Sequence, residues 1–319
     1  MTEQKLVFGH AALVRDLCGP TDAHLALIEN TLGVRIDAQS NEITLRGGDQ
    51  STLEAKAVLQ TLYARLETGE TLTIADVEGT LRMKRDPNPS DKMATNHPSL
   101  ILPRRTIAPR SKAQAGFMQQ LASEELVFGV GPAGTGKTYL AVASAASMLL
   151  SGQVEKVILS RPALEAGERI GFLPGDEKEK MDPYLRPLYD ALYDILYTDF
   201  VDRKIASKEI EIAPLAFMRG RTLTRAAVIL DEAQNATVGQ MKMFLTRLGE
   251  GSRMAVTGDP SQTDLPDPRQ SGLADALSLL KPIEGVGITR FTGDDVVRHR
   301  LVGEIVRAYD ARSSAQKGS

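Results

Sequence analysis

The sequence predicts an α/β protein in which a parallel-sheet core follows a small α+β module. Three observations carry this. From about residue 125 onward short apolar runs alternate with helical stretches, as parallel sheets with crossover helices require. The run ELVFGV leads directly into GPAGTGKT at 131–138 and then into YLAVASAASMLL, a strand, a glycine-rich loop and a buried helix in succession. Roughly a hundred residues later AAVILDEAQN places two carboxylates at the end of a second apolar strand. A hydrophobic content of 42% over 319 residues can fill a large core and a smaller one.

Bulk properties exclude several classes. The longest near-apolar run, Tyr139 to Leu150, falls short of the roughly 20 residues that span a bilayer. MTEQKLVFGH has neither the basic start nor the apolar core of a signal peptide, and Cys18 has no partner for an intrachain disulfide, so a cytoplasmic location is expected. His10, His24, His97 and His299 are scattered without cysteines beside them, which gives no zinc pattern. The net charge is only -3, yet residues 84–112 carry Lys84, Arg85, Lys92, Arg104, Arg105, Arg110 and Lys112 against Asp86 and Asp91.

In chain order, residues 1–83 read as the α+β module. LVFGHAALVRDLCG precedes a helix in DAHLALIENTLG. The strands VRIDA and EITLRG are joined by the turn residues Gln39, Ser40 and Asn41. A further helix in STLEAKAVLQTLYARLETG puts Leu53, Ala57, Leu62 and Leu66 near one face. This order resembles a KH-type RNA-binding domain, in which a tight loop between two helices clamps the RNA backbone. The equivalent loop here, Gly19-Pro20-Thr21-Asp22, has one of the two expected glycines and an added acid. Residues 84–112, with prolines at 87, 89, 98, 103 and 109, read as a basic linker: either a solvated tether or a strap that seeks phosphate. Residues 113–312 form the core, with strands expected near 125–130, 155–160, 209–212, 227–231, 253–257 and 286–291, and 313–319 a flexible tail.

The loop 131–138 fits G-x-x-x-x-G-K-[ST]. Gly131, Gly134 and Gly136, with Pro132, Ala133 and Thr135 between them, let the backbone curl so that successive N–H groups face phosphate oxygens at the positive end of the following helix. Lys137 would reach the β- and γ-phosphates of ATP, and the Thr138 hydroxyl would ligate Mg²⁺. Asp231 would complete the metal shell and Glu232 polarise the attacking water, at the carboxyl end of a parallel strand where ligands of open sheets bind. In RMAVTGDPSQTDLP, Asp259 and Gln262 fall at the same sheet edge, with Gln262 a candidate γ-phosphate sensor. With EKVILS between the two motifs, the order is that of RecA-like ATPases with a catalytic glutamate. The guanine-reading sequence N-K-x-D is absent, which favours ATP. Gln114 is the candidate adenine reader or a helix-surface glutamine.

With these motifs, SRPALEAGERIGFLPGDEKEKMDPYLRPLYDAL from Ser160, RGRTL from Arg219 and TGDPSQTDLP resemble the PhoH family, the phosphate-starvation-inducible ATPases. The resemblance covers nearly all of the chain after about residue 15. It implies a RecA-like core related to the first core of superfamily one helicases, a role in RNA metabolism with RNA as partner, and an endoribonuclease partner active in ribosomal RNA maturation. Such helicases complete their site with an arginine from a second core. Fewer than ninety residues follow Glu232, too few to build one. Hydrolysis is then slow, or a neighbouring subunit of a homo-oligomer, such as a ring, supplies the arginine. Arg298, on a helix expected to begin near Asp294 with Val297, Leu301 and Ile305 inward, is the leading candidate, ahead of Arg300, Arg219, Arg221 and Arg186. Arg161 and Arg169 lie where related helicases touch single-stranded phosphate; alternatively Arg161 is structural and Arg169 solvated. With no tryptophan and 5% aromatic residues, extended base stacking is not expected. Two functional readings stand: an ATPase that remodels or unwinds RNA, and an ATP-gated adaptor for a ribonuclease.

Overall fold

The computed structural model describes residues 2–85, 99–162 and 177–296. They divide into two compact units, Met1–Pro98 with Ala108–Ala115, and Ser99–Ile107 with Gly116–Ser319.

The first unit runs β1 (Thr2–Val7), α1 (Ala11–Cys18), α2 (Ala23–Leu32), β2 (Arg35–Gln39), β3 (Glu42–Gly47), α3 (Asp49–Glu67) and α4 (Ile74–Arg85). Its sheet has the order β1-β3-β2, antiparallel throughout. Ser40, at φ 56°, turns the chain between β2 and β3. Helix α3 buries Ala55, Val58, Leu59, Leu62, Tyr63 and Leu66. Leu53, expected on that face, is instead 52% exposed, because the helix rotates its inward stripe onto 55, 58, 59 and 62.

Two elements here carry little sequence signal. Strand β1 alternates along a sheet edge and fully buries only Leu6. Helix α4 carries a glycine in its interior, Gly79, where a Cβ would lie 3.0 Å from the Arg110 Cα. Its start is fixed by Asp76, which turns back to accept the Thr73 N–H at 2.9 Å and contacts Arg65 and Arg110 at 3.4 and 3.3 Å.

The second unit opens with a hairpin, β4 (Leu100–Ile101) and β5 (Thr106–Ile107), inside the stretch read as linker. Its basic residues are tied down: Arg104 donates to the Tyr193 carbonyl, and Arg105 pairs with Asp194 at 2.9 Å. Residues 86–98 lie outside the described residues. The core continues as α5 (Lys112–Ser123), β6 (Leu126–Val130), α6 (Lys137–Leu150), β7 (Lys156–Arg161), α7 (Glu177–Ile195), α8 (Thr198–Ala206), β8 (Ile210–Pro214), β9 (Ala226–Leu230), α9 (Val238–Leu245), β10 (Arg253–Gly258), α10 (Gly272–Leu280) and β11 (Val286–Arg290).

Six strands form one parallel sheet in the order β11-β6-β10-β9-β7-β8. They lie at the positions expected from sequence, and they read as unbroken apolar runs because both faces are covered. Phe128, Val228, Leu230 and Val256 pack with Met241 and Phe244 of α9 and Leu273 of α10. The alanine-rich α6 packs on the same sheet. No described helix is long and apolar enough to cross a membrane.

Strand order decides where chemistry can occur. β10 separates β6 from β9, so the loop after β6 and the carboxylates after β9 flank the end of β10. Cα pairings Val130↔Gly258, Leu230↔Val256 and Leu230↔Ser160 align these ends at one edge.

Candidate nucleotide site

Gly131, Gly134 and Gly136 take φ values of 143°, 81° and 83°, a region that glycine enters without penalty. Gly131 is also pinned sterically, since a Cβ there would approach the Phe291 carbonyl oxygen to 2.3 Å. Its N–H donates to the Gly258 carbonyl, and the Phe291 N–H donates to Val130. The loop is thus set by the neighbouring strands β10 and β11 as well as by its own sequence. The buried Lys137 ammonium donates to the carbonyls of Gly131 and Pro132, both at 2.7 Å, and lies 3.3 Å from the Thr135 hydroxyl.

Thr138, one residue into α6, donates its hydroxyl to Asp231 Oδ1 at 2.6 Å. Residues 93 positions apart therefore meet. The same oxygen accepts from Thr257 at 2.8 Å, and the Asp231 N–H donates to the Ser160 carbonyl. Glu232 sits at φ 52° and ψ 39°, left-handed for a non-glycine residue, a kind of strain that concentrates where function holds a side chain in place. Both of its carboxylate oxygens are occupied: Arg161 Nη2 donates to Oε1 at 2.7 Å and Gln234 Nε2 to Oε2 at 2.6 Å. The Gln234 amide oxygen in turn accepts the Asp259 N–H at 3.0 Å.

Arg161, at the end of β7, reaches both acids. Its Nε lies 3.1 Å from Asp231 Oδ2, an ion pair whose N–H is not aligned with the acceptor, and Nη1 donates to the Tyr184 carbonyl of α7 at 2.7 Å. The guanidinium is turned inward onto the carboxylates, away from the phosphate-facing position considered from sequence.

These residues fit a polyphosphate with a hydrated divalent cation. The loop offers a buried lysine at the N-terminus of α6; Thr138 and Asp231 offer one hydroxyl and one carboxylate, the sparse protein ligation Mg²⁺ takes when phosphates and waters supply the rest. The buried Ser160 hydroxyl and Arg161 Nε, both without an aligned partner, mark polar capacity beside Asp231.

The other predicted residues make contacts of their own. Gln262 is on an exposed turn and donates to Asp259 Oδ2 at 2.9 Å. Gln114 is buried at the start of α5, where its amide oxygen accepts the Arg110 N–H at 2.7 Å and its own N–H donates to the Ser111 hydroxyl, a helix-capping arrangement. Arg221 is held bidentately by Glu211. Arg169, Arg298 and Arg300 lie outside the described residues. Sequence reading passed over Thr257 and Gln234. A threonine ending an apolar strand beside the P-loop strand was the available signal for the first; the second lies within DEAQN itself.

Fold and site together define a P-loop NTPase core. A family profile described as PhoH-like protein matches residues 106–310. The PhoH-like protein of Mycobacterium bovis is 47% identical over 302 residues, covering 93% of this chain and 85% of that protein. The PhoH-like protein of Bacillus subtilis is 47% identical over 299 residues, covering 93% of this chain and 94% of its own. The chain belongs to the PhoH family. Among solved structures, the Sulfolobus solfataricus SWI2/SNF2 ATPase core in complex with dsDNA is similar at 13% identity and a TM-score of 0.34, over 56% of this chain and 42% of that one.

Proposed function

We propose that this chain hydrolyses ATP with Mg²⁺ and couples turnover to the remodelling of RNA. The observation that carries the hydrolytic part is the Thr138–Asp231–Glu232 constellation against the loop of Lys137. Lys137 is the group for the β- and γ-phosphates, and Thr138 and Asp231 are the groups for the hydrated metal, which would supply charge neutralisation at the transferred phosphoryl oxygens. Glu232 is the group for orienting and polarising water, since each of its oxygens keeps a lone-pair site beyond the donor it already has. Gln262, through Asp259, is the proposed link from the γ-phosphate to the β10 edge. ATP is preferred over GTP because N-K-x-D is missing.

RNA as the polymer is supported by the first unit, whose β-α-α-β-β-α order with the loop Gly19–Asp22 between its helices suits a KH-like module. A homo-oligomer that supplies Arg298 in trans and an endoribonuclease partner belong to the same proposal, as does a cytoplasmic location.

The test uses two variants of the full chain. Lys137→Ala should lose nucleotide binding, measured with a fluorescent ATP analogue. Glu232→Gln should keep binding while turnover drops by about 10²-fold or more, the scale of positioned acid–base groups. Unchanged turnover in Glu232→Gln removes the assignment. Stimulation of the wild-type rate by single-stranded RNA supports remodelling, and its absence moves the reading to an ATP-gated adaptor.

A further inference from the structure

Arg161 holds three things at once: Glu232 through Nη2, Asp231 through the face of Nε, and the Tyr184 carbonyl through Nη1. Its side chain is 17% exposed. Each attachment has a consequence. Arg161 and Gln234 each take one of the lone-pair sites on the two Glu232 oxygens, and the guanidinium places a cation where a water hydrogen would otherwise be drawn. A guanidinium cannot relieve repulsion by losing its proton, so a dication arriving at Asp231 displaces it instead. The unaligned Nε–H makes that displacement easier than breaking a fully satisfied bidentate pair.

The third attachment gives displacement a direction. Helix α7 is tethered again further along by Asp194, which accepts the Tyr139 hydroxyl at 2.7 Å beside Thr138. Burial, then that hydrogen bond, pushes the Tyr139 phenol up to about 12, so it remains a donor. One helix thus touches the loop helix at Asp194 and, through Arg161, the acidic pair at Tyr184.

We infer that Arg161 is an internal counter-cation that competes with the divalent metal for Asp231 and Glu232, and that its displacement passes the arrival of the metal to α7. This rests on the nucleotide-site reading above. Arg161 is a positioning residue: it acts through the two acids.

The experiment uses full chain saturated with a non-hydrolysable ATP analogue and titrated with Mn²⁺, free Mn²⁺ being counted by electron paramagnetic resonance. Arg161→Gln should tighten Mn²⁺ binding on the order of tenfold, the scale of one lost charged hydrogen bond. Arg161→Lys, whose compact ammonium cannot span both acids and the carbonyl, should fall between. Hydrogen exchange in peptides covering α7 should change on adding Mn²⁺ to the wild type and not to Arg161→Gln. Equal or weaker Mn²⁺ affinity in both variants overturns the competition, and an identical α7 response in Arg161→Gln overturns the relay. Failure of the analogue to bind wild-type chain would overturn the nucleotide reading itself, and this inference with it.

Discussion

Asp231 is buried at 4% exposure, and its hold on the site depends on two hydroxyls that converge on one oxygen. Thr257→Val keeps the shape and removes one of them. The expected cost is about 1–3 kcal/mol in chemical denaturation, because a buried charged acceptor loses a donor that no water replaces. Gly131→Ala acts on backbone instead: a non-glycine residue at φ 143° is strained by about 1–3 kcal/mol before its Cβ meets the Phe291 carbonyl. Loss of binding of a fluorescent ATP analogue, with a lowered melting temperature, is the expected outcome. At this scale the sequence was most legible where a residue type is demanded by chemistry, as for Lys137, Thr138, Asp231 and Glu232. It was least legible where a common residue acquires its place by folding. Thr257 and Gln234 carry only a positional signal, one ending an apolar strand and the other two residues after the acidic pair, and Arg161 reads equally well as a structural residue or a phosphate contact until β7 sets it beside β9.

Among elements, the parallel strands were legible because burial on both faces leaves unbroken apolar runs, whereas β1 and α4 expose one side and dilute the pattern. The hairpin β4–β5 was hidden by its prolines and charges, since the partners that order Arg104 and Arg105 lie far along the chain on α7. The start of α4 carries a pH-dependent contribution. Burial alone would raise the Asp76 carboxyl, but the Thr73 hydrogen bond, Arg110 and Arg65 outweigh it and hold the group below its ordinary value. A carboxylate depressed in the folded state stabilises fully above its unfolded pKa, and that contribution is lost as pH falls through the folded one. Stability of the wild type should therefore decline on acidification below about pH 4, and Asp76→Asn should be less stable at neutral pH with a shallower acid decline. Denaturation midpoints across pH 2–7 check both, and parallel acid declines in the two proteins would refute the assignment.

At the scale of the whole molecule the core has one six-stranded parallel sheet and one loop of this kind among the described residues, and in the proposed arrangement the arginine for the transferred phosphoryl group comes from another subunit, the alternative being slow hydrolysis without one. Turnover per chain should then rise with protein concentration, and Arg298→Ala should lower it by about 10³-fold or more if that residue is the donor. Sedimentation as a fully active monomer, with Arg298→Ala at wild-type turnover, contradicts the arrangement.

The contact of Phe291 with Gly131 bears on how the chain can be cut. The motifs that would touch nucleotide and metal precede residue 267, yet the edge strand β11 arrives after them, and Phe291, just beyond it, meets the loop at Val130 and Gly131 and packs its ring 5.5 Å from that of Phe117. A fragment ending before β11 would carry all the spelling but lose the Phe291 contacts that help to shape the loop, so motif content is a poor guide to the smallest piece that can work.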